Sequence, residues 1–181
     1  KLAQAAAFVF TADFPDEHVF FVGSDVGYLR SFGYPLLRSI DASCPAAQIH
    51  LHVMDMPDEL RPELAAFIAS LPNSRIAVTR EVLGVANQPQ GIRSCVYSPA
   101  RTRIAMALAR YYAKTIWLID ADALFNRDPR PQVDALGPFD VASILMMAFE
   151  PWHMMPAGTV IVRPTAAARG FAALVDGFLR Q

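Results

Sequence analysis

Cysteine, net charge and long apolar runs are all scarce in this chain, and each scarcity excludes something. Its 181 residues include two cysteines, Cys44 and Cys95. They are too few and too irregularly placed for a disulfide framework or a zinc site. Both read as small buried apolar residues in a reducing cytoplasm, with peripheral attachment at an inner membrane as the alternative placement. No apolar run reaches the roughly 18–20 residues that span a bilayer, so no transmembrane segment is expected. The formal charge is −1, which gives no general pull on nucleic acid or anionic lipid. Charged residues make up 18 % of the chain and hydrophobic ones 54 %, the opposite of a disordered composition. There is no internal repeat and no low-complexity linker. One compact domain over residues 1–181 is expected. Its end inside a helical pattern suggests that the domain is incomplete at its C-terminus.

Apolar strand-like runs alternate with helical patterns along the chain. This predicts an α/β fold with a mainly parallel central sheet and helices on both faces. The first long strand is expected at His18–Gly23. A helix from Tyr28 to Cys44 follows, with Leu29, Phe32, Leu36, Ile40 and Cys44 at helical spacing. Strands are expected at Gln48–Met54 and Arg75–Val82, with a helix from Asp58 to Leu71 between them. Leu83–Ser98 reads as a long functional loop. Ser98 and Pro99 then read as the cap and first turn of a helix that runs to about Ala113. Its apolar face is Ile104, Leu108 and one of Tyr111 or Tyr112. Short strands at Val141–Met147 and Thr159–Val162 and a helix at Thr165–Arg180 complete the pattern. Phe8–Phe10 could form an extra strand.

The strongest chemical signal is Thr115-Ile-Trp-Leu-Ile-Asp120-Ala-Asp122. An apolar strand ends in two carboxylates one residue apart. A buried carboxylate is costly unless it is paired, hydrogen-bonded or bound to metal, and two together repel unless a cation sits between them. Strand ends open into the crevice where α/β sheets bind ligands. Asp120 and Asp122 therefore read as a site for a hard divalent cation, Mn²⁺ or Mg²⁺, at the mouth of a nucleotide pocket.

Four features in order resemble the GT-A nucleotide-sugar glycosyltransferases, closest to retaining family 8. Val22-Gly-Ser-Asp25-Val-Gly-Tyr28 is similar to that family's Asp-x-x-Tyr. Arg103 stands 17 residues before Asp120, where the family has a donor-site arginine. Asp120-Ala-Asp122 matches its Asp-x-Asp motif, and Met155-Pro-Ala-Gly158 its Phe-Asn-(Ser/Ala)-Gly. The resemblance implies a metal-dependent hexosyltransferase using a UDP-sugar and a glycan, lipid or protein acceptor, with retention of anomeric configuration by front-face attack. It also implies roles. Asp25 and Tyr28 would hold the base and ribose. Asp122 would be the direct metal ligand, with Asp120 on the ribose or the metal's water shell. Arg103 would face the diphosphate. Two features depart from the family: Pro156 replaces its asparagine, and its late His-x-x-Gly-x-x-Lys-Pro segment does not occur up to Gln181.

Each candidate has a plainer alternative. Asp120 and Asp122 could cap a turn, Asp25 a helix, and Tyr28 could pack in the core. Arg103 could be a surface arginine, and Gly158 could serve a turn. His50 and His52 share a strand face, either as a metal pair or hydrogen-bonded beneath a helix. His153 and Glu150 are acceptor-side candidates, and Met146, Met147, Met154 and Met155 read as adaptable core. Three competing functions remain weaker. A nucleotidyltransferase lacks its glycine-rich loop here. A haloacid-dehalogenase phosphatase lacks the downstream lysine. A non-catalytic nucleotide-sugar-binding module fits the departures.

Overall fold

The computed structural model describes residues 6–143 and 159–179. Seven strands form one sheet in the order β1-β4-β3-β2-β5-β7-β6. The strands are β1 (Ala7–Phe10), β2 (His18–Asp25), β3 (Ala47–Met54), β4 (Ser74–Glu81), β5 (Thr115–Ile119), β6 (Val141–Ser143) and β7 (Thr159–Val162). The four central strands are parallel, while β1, β7 and β6 pair antiparallel at the flanks. Strands β2, β3 and β5 are buried almost end to end. A parallel sheet covered on both faces produces such unbroken apolar runs.

The helices are α1 (Val26–Tyr28), α2 (Tyr34–Ser43), α3 (Arg61–Ala69), α4 (Gln90–Tyr112), α5 (Arg130–Asp134) and α6 (Ala166–Leu179). Alternation along each strand divides the core. Phe20, Val22, Ile49, Leu51, Val53 and Trp117 pack with Leu36, Leu37 and Ile40 of α2 and Leu64 and Phe67 of α3. Val19, Phe21, Ile116 and Leu118 pack on the other face with Ile104 and Leu108 of α4 and Ala168 and Ala172 of α6. The chain leaves β2 towards β3 and β4, then returns on β2's other side as β5. The topological switch point therefore lies between β2 and β5, where open α/β sheets bind ligands.

Several expectations change. Ser98 and Pro99 do not open a helix, because α4 starts at Gln90, two turns earlier, and Pro99 lies inside it. Pro99 has no N–H for the ladder. Tertiary contacts hold the early turns nevertheless: Tyr97 and Ala100 pack on Met54 beside Leu83 and Val85. The stretch from Tyr28 to Cys44 is a wide turn at Leu29–Gly33 followed by α2. Phe32 there is exposed and lies against Tyr28, ring centroids 4.6 Å apart. Cys44 is buried but Cys95 is exposed. Tyr112, not the exposed Tyr111, packs inward, against Phe14 and His50. Phe8 to Phe10 does form a strand, on the sheet's edge. Among the described residues no helix is long and apolar enough to cross a membrane.

His50 and His52 lie fully buried beneath α4. His50 Nδ1 meets the Tyr112 hydroxyl at 2.8 Å, and Thr79 Oγ1 lies 2.8 Å from His50 Nε2 and 2.9 Å from His52 Nδ1. Burial, and then the neighbouring His52, lower the His50 pKa to about 3. The unfolded chain binds this proton near pH 6.5, so it carries more protons than the folded one between these values. Stability from this group is complete above about pH 6.5 and declines as pH falls towards 3. Urea unfolding should show a lower midpoint at pH 5 than at pH 7, and His50→Gln should shrink that difference.

Candidate functional site

A cavity of about 530 Å³ opens at the switch point. Asp25, the last residue of β2, stands on one side, and Asp120 and Asp122, just past β5, stand beside it. The parallel register pairs Val22 with Ile119, so both acidic segments emerge at the same sheet edge. Met54 ends β3 at the back. The far wall is one face of α4: Gln90, Ser94 and Ser98 form one row, and Arg93, Tyr97 and Arg101 the next. Residues four apart stack on a helix face, so the two rows run side by side.

Local chemistry fixes these side chains. Asp25 Oδ1 accepts the Tyr28 backbone N–H at 2.8 Å, capping α1. The plainer expectation for Asp25 is thus met, while its other oxygen lies 3.7 Å from Arg93 Nη1. The Tyr28 hydroxyl donates to Asp122 Oδ2 at 2.7 Å. That bond, followed by burial and the Asp122 and Asp120 charges, pushes the phenol up to about 12, while Arg101 pulls the other way. Arg101 forms an ion pair with Asp120. It is a charge contact more than an aligned hydrogen bond, because Asp120 Oδ1 and Arg101 Nε are buried without a hydrogen-bond partner among the described residues.

Sequence reasoning brought Asp25, Tyr28, Asp120 and Asp122 to one place, and the structure assembles them there. Arg103 is not among the lining residues; its guanidinium pairs with Glu81. Burial raises the Glu81 carboxyl, but His52 and Arg103 outweigh that and hold it below the usual range. Arg103 and Arg101 are two residues apart, so they point to opposite sides of α4. Arg101 lines the cavity instead. Its signal was the Arg93-Tyr97-Arg101 spacing, which is visible only once α4 starts at Gln90.

Two supporting features were also missed. Gly23 of β2 lies under α4, and a Cβ added there would meet Arg101 Cβ at 2.6 Å. Glycine lets the helix approach closely enough to place Arg101 over the strand end. Asp55, at φ +50°, anchors the loop leading into α4. Its carboxylate accepts the N–H groups of Leu83, Gly84 and Val85 at 2.6, 2.8 and 2.9 Å, and the Tyr97 hydroxyl at 2.9 Å. Burial raises its pKa, but these donors outweigh burial and leave it below its ordinary value. Met155, Pro156, Gly158, His153, Glu150 and the neighbouring methionines lie outside the described residues.

No protein-family model and no curated protein matches the sequence. Solved structures do match. The glycosyltransferase GlyE of Streptococcus pneumoniae TIGR4 is 16 % identical, with a TM-score of 0.58 over 91 % of this chain. Apo mouse xyloside xylosyltransferase 1 is 12 % identical over 91 %, at 0.55. The galactosyltransferase LgtC, in complex with donor and acceptor sugar analogues, is 16 % identical over 91 %, at 0.56. The fold is GT-A-like. At these identities the likeness is one of fold. The chain spans 38 % of GlyE, 72 % of the xylosyltransferase and 66 % of LgtC.

The Gly23 contact gives a direct test. Gly23→Ala should destabilise the fold by about 1–3 kcal/mol, the usual cost of overpacking, measured by urea unfolding. Gly27→Ala, where an added Cβ meets nothing closer than 3.4 Å, should cost much less.

Proposed function

We propose that this chain is the donor-binding domain of a glycosyltransferase that takes a UDP-sugar. The observation that carries the reading is the meeting of Asp25, Tyr28, Asp120, Asp122 and Arg101 on one cavity at the switch point. A nucleoside diphosphate needs base contacts at one end and positive charge at the other. Asp25 stands at the first end, Arg101 stands with the two carboxylates at the second, and Tyr28 lies between them with its hydroxyl on Asp122.

A divalent cation fits this donor set. Asp120 and Asp122 offer hard carboxylate oxygens; Asp120 Oδ1, ion-paired with Arg101, has no hydrogen-bond partner among the described residues. Among the described residues no group of three or more histidines, cysteines and acids is assembled. Phosphate oxygens and water would be among its other ligands. The lining carries three carboxylates and two arginines, so a dication reverses its net charge and makes it attractive to a diphosphate. Bound there, Mn²⁺ or Mg²⁺ would neutralise charge developing on the leaving diphosphate.

The chain's own groups have defined tasks. Arg101 donates to phosphate oxygens and adds a fixed positive charge beside the breaking glycosidic bond. To do so it turns from Asp120, which frees that carboxylate for the cation or a ribose hydroxyl. Tyr28 holds Asp122 in orientation. Front-face attack of an acceptor hydroxyl on the anomeric carbon, with the diphosphate leaving from that same face, would retain the configuration. The second reading is a non-catalytic nucleotide-sugar-binding module. It draws on the protein partners that Asp120 and Asp122 already hold.

Asp122→Ala should abolish the manganese-dependent part of UDP binding in calorimetry, and Asp120→Asn should weaken it less. The first removes the direct ligand of the dication, whereas the second neutralises a carboxylate of its outer shell but keeps an oxygen acceptor in place. Manganese-dependent affinity unchanged in Asp122→Ala would sink the metal assignment. Release of sugar from a UDP-sugar separates enzyme from binding module.

A further inference from the structure

The cavity holds a second arginine to which the reading above gives no task. Arg93 and Arg101 lie eight residues apart on the same face of α4, about 12 Å along the helix axis. Their guanidinium groups are engaged at different carboxylates, Arg93 at Asp25 and Arg101 at Asp120. Arg93 Nε is buried with no hydrogen-bond partner among the described residues. Its ion-pair partner is Asp25, with Nη1 3.7 Å from Oδ2, beyond hydrogen-bond length. Asp25 Oδ1 already accepts the Tyr28 N–H. One free carboxylate oxygen and one under-used guanidinium thus face each other across a gap.

Resting on the UDP-sugar reading, which already sets Asp25 at the base, we infer that Arg93 completes the reading of the nucleobase edge beside it, and that Arg101 alone serves the phosphates. A phosphate would suit Arg93 but meet the Asp25 carboxylate, with no second acid there to share a cation. A neutral edge that carries an N–H beside a carbonyl satisfies both groups. Uracil presents that edge: its N3–H donates to Asp25 Oδ2, and a flanking carbonyl accepts from the guanidinium. Cytosine in the same pose aims a bare N3 lone pair at the carboxylate. Guanine brings two adjacent donors to the single free oxygen.

Calorimetry at fixed Mn²⁺ with UDP, CDP and inorganic pyrophosphate tests this on the full chain. The parent chain should prefer UDP to CDP by about tenfold, the effect of one hydrogen bond mismatched in a partly buried site. Arg93→Gln should weaken UDP about tenfold and leave pyrophosphate unchanged, whereas Arg101→Gln should weaken both. The inference is overturned if Arg93→Gln weakens pyrophosphate as much as UDP, if it leaves UDP unchanged, or if the parent chain binds UDP and CDP equally. A parent chain that binds none of the three overturns the UDP-sugar reading itself.

Discussion

Helix α4 crosses β2 where Gly23 presents no side chain, and the candidate site is built around that close approach. A methyl group there would overlap Arg101 Cβ. With the helix seated, Arg101 reaches Asp120 just past the end of β5, and Arg93 reaches the neighbourhood of Asp25 at the end of β2. Both arginines belong to one rigid element, so their spacing is fixed by helical geometry more than by loop conformation. Sites carried on helices and strands are held more sharply than sites on loops.

Beneath the helix, buried polar groups fix its position against the sheet. Arg103 pairs with Glu81 at the end of β4, and the His50-Thr79-His52 chain runs below towards Tyr112. Asp55 ties the loop before α4 through three backbone donors and Tyr97. Such networks cost desolvation, so they contribute definition more than net stability. Arg103 thus helps to orient the helix whose opposite face carries Arg101.

The central strands were readable because burial on both faces leaves unbroken apolar runs in β2, β3 and β5. Asp120 and Asp122 were readable because two carboxylates ending such a run need a reason. The start of α4 was not, because Ser98-Pro99 imitates a helix cap while the contacts that extend the helix, Tyr97 on Met54 and Asp55, are distant in sequence. That misplaced start hid the Arg93-Tyr97-Arg101 row and directed attention to Arg103 by its spacing alone. Asp55 gave no local signal, since its donors come from a loop nearly thirty residues away. The five-residue α5 is too short to show a period.

A crystal structure of the chain with UDP and Mn²⁺ bears most directly on the central claim. The account predicts the uracil at Asp25 and Arg93, with the diphosphate beside Arg101 at the Asp120 and Asp122 end of the cavity. It would be contradicted by nucleotide bound elsewhere, for instance in the smaller cavity among His18, Lys114, Asp134 and Arg163 at the opposite edge of the sheet.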